Sequence, residues 1–287
     1  MKSEMVCASE GDTPTTSITL KFKTMAYFQT LQQVKFVTAI QEAFGARRGV
    51  YDADSMRESG RLDEQNSESR FTTGWKTDAL HLETNEKEAG QVLWDMDSGN
   101  FYQRFDHPSQ RPYSAKLLNF EELQASSNAN TSFVVLGNDD AHDVIRTGAL
   151  NDVVNGRGGH DLIHTNKGDD FIIGSEGVDQ VWTGAGKDVV SVSAGNGFAL
   201  IRDFEAGMDR LDIAGGTADV SIRQLGQSGT DNNLADHLSA VRHWGPTFEN
   251  QLVGAGLIYK GEDLIAAIQT NDVGQLVVTS EGVAGMI

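Results

Sequence analysis

Between residues 138 and 191 the apolar positions keep a step of nine: Ile145, Val154, Ile163, Ile172, Val181 and Val190. Two places before each stands an aspartate, Asp143, Asp152, Asp161, Asp170, Asp179 and Asp188, behind a glycine-rich approach. An α-helix turns about 100° per residue, so nine residues would throw successive aspartates to opposite sides. A flat strand fails as well, because nine is odd and strand faces alternate. The period fits a coil in which each copy is half a revolution, with a six-residue turn and a three-residue strand. Every aliphatic then points inward from one of two parallel sheets, and the glycines fall in the turns.

Elsewhere the patterning differs. Residues 1–24 are polar and read as a loose arm. In "MAYFQTLQQVKFVTAIQEAF" the apolar residues Phe28, Leu31, Val34, Val37, Ile40 and Phe44 recur at steps of three and four, which predicts an amphipathic helix over 25–44 stopped by Gly45. Residues 46–74 read as a polar loop. "DALHLE", "GQVLWDM" and "NFYQRF" read as strands, "LNFEELQ" as one helical turn and "ASSNANTS" as a linker. After a degenerate seventh copy, "VSAGNGFAL", "LIRDFEAGMDRLDIAG" predicts two strands around a glycine turn. "LADHLSAVRHW" predicts a short helix, and "GLIYKGEDLIAAIQ" a hairpin turning at Lys260 and Gly261. The expected fold class is therefore mainly β. A mixed α+β N-terminal domain over 1–130 precedes a parallel β-roll over 131–200, and a β-rich C-terminal cap follows over 201–287. Such caps shield the end of a repeat stack, whose last strand would otherwise offer unpaired backbone groups to other chains.

Charge adds chemistry to this coil. The 287 residues carry a formal net charge of -18, which argues against nucleic-acid or anionic-membrane partners and for cations. Alternate copies stack, so Asp143, Asp161 and Asp179 form one row and Asp152, Asp170 and Asp188 a second. Neighbours about 4.8 Å apart would repel by about 1 kcal/mol in water and about 3 kcal/mol at an effective dielectric of 20. A hard divalent cation between turns reverses that sign, with carbonyls of the glycine-rich turns as further ligands. Magnesium tolerates little departure from octahedral geometry, and zinc or copper would want imidazole or thiolate. Calcium is the expected ion.

"GRGGHDLIH", "TNKGDDFII", "GSEGVDQVW" and "TGAGKDVVS" resemble the nonapeptide GGxGxDxUx of RTX (repeats-in-toxin) proteins. The resemblance implies a right-handed β-roll, several structural calcium ions held between turn n and turn n+2, and export by a type I secretion apparatus through an uncleaved C-terminal signal. It covers residues 138–191, with "IRDFEAGMDRLDI" and "GEDLIAAIQ" similar to the region that follows such repeats. Carried over residue by residue, it implies Asp143, Asp152, Asp161, Asp170, Asp179 and Asp188 as metal ligands, with the fourth-position glycines Gly159, Gly168, Gly177 and Gly186 in the binding turns. Ala141 and Leu150 replace that glycine in the first two copies. Arg157, Asn166 and Ser175 replace the second-position glycine. Ions are therefore expected first at Asp161 with Asp179 and at Asp170 with Asp188, and in the seventh copy Gly197 is expected in the aspartate's place.

The competing account of the ladder is a solenoid whose aspartates cap turns through local hydrogen bonds. Val153, Phe171 and Val189, with Ile173 beside them, form an outward column that reads as packing against the rest of the chain or as an intermolecular contact. Thr147, Thr165 and Thr183 stack at the first position of alternate copies and read as roll packing, the sharper alternative being an ice- or polysaccharide-organising face. His142, His160 and His164 read as solvated or turn-bonded. The sequence lacks HExxH, GxSxG and GxxxxGK, so no zinc-protease, nucleophile-elbow or phosphate-cradle motif is present. "FDHPSQRPY", with Asp106, His107, Ser109 and Arg111, reads as a surface loop. Its single cysteine, Cys7, excludes an intrachain disulfide. No run approaches the ~20 apolar residues of a membrane span or a signal-peptide core, so export is expected without a cleaved leader. Two readings of the N-terminal block stand side by side. One is a non-catalytic module that binds a surface polysaccharide or protein. The other is a hydrolase or polysaccharide-modifying enzyme with its site within residues 45–115.

Overall fold

The computed structural model describes residues 17–22, 50–52, 79–84, 90–105, 113–125, 130–195, 197–226, 232–240, 252–270 and 272–280. The helix expected over 25–44 lies outside them. The strands before the repeats are β1 (Ser17–Phe22), β2 (Val50–Asp52), β3 (Ala79–Thr84), β4 (Gly90–Asp95), β5 (Asn100–Phe105), β6 (Tyr113–Leu118), β7 (Glu122–Ala125) and β8 (Thr131–Leu136). The repeats supply β9 (Val144–Arg146), β10 (Val153–Asn155), β11 (Leu162–His164), β12 (Phe171–Ile173), β13 (Gly177–Trp182) and β14 (Val189–Val192). Beyond them come β15 (Gly197–Phe204), β16 (Arg210–Ile213), β17 (Val220–Gln224), helix α1 (Asn232–Ala240), β18 (Gly256–Lys260), β19 (Asp263–Thr270) and β20 (Val277–Thr279).

Consecutive repeat strands alternate between two sheets. One runs β1-β3-β7-β9-β11-β13-β15-β19-β18-β17 and the other β2-β6-β5-β4-β8-β10-β12-β14-β16-β20. Pairing through the repeats is parallel and steps by 18 residues: Ile145 lies beside Ile163 and Ile163 beside Val181, while Val154 lies beside Ile172 and Ile172 beside Val190. All six of these aliphatics are fully buried. Side chains alternate across each three-residue strand, so the middle residue alone enters the roll and its neighbours face out.

The sheets continue past both ends of the repeats. Leu80 pairs with Leu123 and Leu123 with Ile145, and Ile201 pairs with Val181 and Ile268, so a single apolar core extends from Leu80 to Ile268. It is broadest before the repeats, where Trp94 meets Phe101 and Phe120 edge-on at 6.2 and 6.3 Å. There β4, β5 and β6 form an antiparallel meander. The helical turn expected in "LNFEELQ" is instead strand β7. Leu123 enters the apolar core, while Glu122, itself buried, and Gln124 take the opposite face of the strand, and period two defeats the helix. The strands expected around the glycine turn at Gly207 form β15 and β16, in opposite sheets rather than as a hairpin. The hairpin at Lys260 and Gly261 is β18 with β19. Helix α1 packs outside the first sheet, where Leu234 and Leu238 join Val178, Phe198, Leu200 and Leu257 in a second apolar cluster.

Candidate metal centre

The stacking sets the aspartates edge to edge. Each backbone amide donates to the carboxylate one full revolution ahead: Asp143 N to Asp161 Oδ1 at 2.9 Å, and Asp161 N to Asp179 Oδ1 at 3.0 Å. In the second row Asp152 N donates to Asp170 Oδ1 and Asp170 N to Asp188 Oδ1, both at 2.8 Å. Oδ1 therefore holds successive turns together. These bonds span a revolution, so they are not the local caps of the competing account.

The second oxygens divide the aspartates into two classes. Asp143 Oδ2 accepts from Asn138 N at 2.6 Å and Asp152 Oδ2 from Gly148 N at 3.1 Å, both local caps. Asp161, Asp170, Asp179 and Asp188 differ: each Oδ2 is buried without a hydrogen-bond partner. A buried carboxylate oxygen left unmatched carries a heavy desolvation cost. The glycines beside these carboxylates pack turn on turn, since Gly159, Gly168, Gly177 and Gly186 hold φ of 115°, 125°, 101° and 154°. A Cβ on Gly177 would strike the Gly159 carbonyl, and one on Gly186 the Gly168 carbonyl. Among the described residues no three His, Cys, Asp or Glu side chains gather as a cluster. An ion here would take one or two carboxylates and complete its shell from backbone oxygens, a donor set that suits calcium and not zinc.

Ionisation follows burial. Desolvation raises Asp143, Asp152 and Asp188 to about 7 and Asp170 to about 9, the last also pushed by the charges of Asp152 and Asp188. Burial lifts Asp161 and Asp179 well above the usual carboxylate range, and the Asp143 charge adds to both. Folded pKa values above the unfolded ~3.9 mean that the folded chain binds more protons. That stability is complete below about pH 4 and is lost as pH climbs through 7 to 9. In EGTA the thermal midpoint is therefore expected to rise steadily from pH 9 to pH 5, whereas the gain from added calcium is largest at pH 9. Melting curves at three pH values check this, and a metal-free midpoint that falls on acidification would contradict it.

Several expectations change in place or meaning. Gly197 does not take the aspartate's position: it pairs with Gly177, and Ala199 stands beside Asp179, because two extra residues precede it. The second row instead continues to Asp209, whose Oδ1 accepts from Asp188 N at 3.1 Å and whose Oδ2 is capped by Glu205 N at 2.7 Å. Asp209 also begins an Asp-x-Leu triplet, but 21 residues after Asp188 and so out of phase. Leu150 and Ala141 hold their places without left-handed backbone, whereas Arg157, Asn166 and Ser175 adopt it at φ of 63°, 70° and 69°. Arg157 turns from the rows to Asp95 and Asp139, at 3.1 and 3.2 Å. Thr147, Thr165 and Thr183 are fully buried, which removes the ice-face alternative. His142 and His160 are turn-bonded through Nδ1, accepting from His160 N and Val178 N, and their rings stack at 4.9 Å. His164 stacks on Trp182 at 4.2 Å. Asp106, His107, Ser109 and Arg111 lie outside the described residues.

A family model for the RTX calcium-binding nonapeptide repeat, in 4 copies, matches residues 137–172 and 164–199. The roll is an RTX calcium-binding repeat block. The match spans Asp161, Asp170, Asp179 and Asp188 and leaves Asp209 outside the RTX segment. No curated protein matches the chain. No helix among the described residues is long and apolar enough to cross a membrane.

Proposed function

We propose that calcium, shared between alternate turns at Asp161 with Asp179 and at Asp170 with Asp188, is a structural ion that folds the RTX roll of a secreted or surface-associated, non-catalytic binding protein. The observation that carries the reading is the buried Oδ2 of Asp161, Asp170, Asp179 and Asp188, each without a hydrogen-bond partner. Where calcium is scarce the carboxylates repel, and the roll stays open enough to pass a type I export channel. Outside the cell, sites with Kd of about 10⁻⁴–10⁻³ M fill and the coil closes. The half-buried column of Val153, Phe171 and Val189, in register on the outer face of the second sheet, supports a contact role for that face.

Circular dichroism of the whole chain tests the ion's part. Between EGTA and ~5 mM calcium the β signal and the thermal midpoint are both expected to rise, and an unchanged spectrum and midpoint would remove calcium from the account.

A further inference from the structure

The two carboxylate rows are floored differently. In the row of Asp161 and Asp179 the first residue of each turn is a glycine lying against the unpartnered oxygen: a Cβ on Gly174 would come within 2.7 Å of Asp179 Oδ2, and one on Gly156 would strike Asp161 Oδ2. In the row of Asp170 and Asp188 the same position holds Thr165 and Thr183, both fully buried. The Thr165 hydroxyl donates to the Thr183 carbonyl at 2.8 Å. Thr183 is tied elsewhere, with its amide and hydroxyl both meeting Asp203 Oδ1, at 2.8 and 3.2 Å.

These differences act in one direction on a cation. In the glycine row nothing but an amide of the neighbouring turn relieves the carboxylates, and no side chain narrows the space at Oδ2. In the threonine row a hydroxyl already occupies a turn carbonyl, one of the backbone oxygens from which an incoming ion would complete its shell. An ion entering there gains less, because it replaces interactions the protein already makes. We propose that the rows fill in order: the site at Asp161 and Asp179 loads at lower calcium than the site at Asp170 and Asp188, and Thr165 sets the interval between them. The proposal rests on the calcium reading above and names the residue that makes its two sites unequal. The two unmatched aspartates in each row, buried at 0–2% exposure, are the groups that the ions would satisfy.

Titration calorimetry of the EGTA-stripped whole chain with calcium chloride provides the test. Two steps are expected. Asp179→Asn abolishes the tighter and Asp170→Asn the weaker. Thr165→Ala draws the weaker step toward the tighter by about three- to tenfold, the worth of one net hydrogen bond, while Thr165→Ser retains the wild-type interval. Because the readout is the interval, general destabilisation by a variant moves both steps and leaves it unchanged. A single step in the wild type, an interval unaltered by Thr165→Ala, or both aspartate variants depressing the same step would overturn the ordering. Absence of any calcium heat would overturn the underlying calcium reading instead.

Discussion

Asp179→Asn is expected to behave in opposite ways with and without calcium. Asparagine keeps the volume and the Oδ1 acceptor that receives Asp161 N at 3.0 Å. What it removes is the charge, and the unpartnered Oδ2 becomes an amide nitrogen. In EGTA at pH 8 the variant should melt at or above the wild type, because the fully buried side chain no longer ionises against Asp143. In ~5 mM calcium the wild type should gain RT ln(1 + [Ca]/Kd), which for Kd of about 10⁻⁴–10⁻³ M is about 1–2 kcal/mol per site. The variant should lose the share of its own site, about 2–8 °C in the melting midpoint. If Asn instead cost as much in EGTA as in calcium, the aspartates would be turn caps and nothing more.

Asp143 and Asp152 give the contrast that makes this a test of geometry. Their second oxygens already accept amides from Asn138 and Gly148, so their asparagine variants should lose far less of the calcium response. The sequence carried a trace of that difference. The first two copies hold Ala141 and Leu150 where the later ones hold glycine, and those later glycines adopt a left-handed backbone that neither Ala141 nor Leu150 needs. The local caps themselves were not legible, since nothing in a one-dimensional pattern says that Asn138 N turns toward Asp143.

The period alone placed the inward aliphatics and the two rows, because an odd repeat with one apolar position per copy has few solutions besides a two-sheet coil. It failed where the phase slipped. Two extra residues before Ala199 and three before Asp209 broke the count of nine, so the continuation of the second row was invisible to spacing although the Asp-x-Leu triplet was there to be read. Before residue 130 no repeat exists to count. Short strands such as Glu122–Ala125 show one inward leucine between two polar residues, a pattern too brief to separate from a helical turn. The sharing of both sheets with the repeats is a tertiary fact that local alternation does not encode.

Gly177→Ala should be among the most damaging single-methyl changes in the roll. Its φ of 101° is one cost, but left-handed backbone alone is bearable here, as Ser175 at 69° two residues earlier demonstrates. The larger cost is steric, because the added carbon would overlap the Gly159 carbonyl oxygen. That oxygen belongs to the turn one revolution back, and a backbone atom held between two turns cannot swing aside as a flexible side chain can. Strain of about 1–2 kcal/mol for the backbone and about 1–3 kcal/mol for overpacking gives a loss of roughly 2–5 kcal/mol in calcium. Gly226 is the control, with ordinary backbone and no atom within 4 Å of its added carbon, so Gly226→Ala should stay near the wild type. The clash also forces the turns of Asp161 and Asp179 apart, so Gly177→Ala should need more calcium to reach half its folding signal, whereas a uniformly destabilised roll held together only by its aliphatics would show no such rise. Chemical denaturation at fixed calcium, followed by calcium titration at fixed denaturant, separates the two effects. A Gly177→Ala protein within 1 kcal/mol of wild type would mean that these turns do not stack carbonyl on glycine.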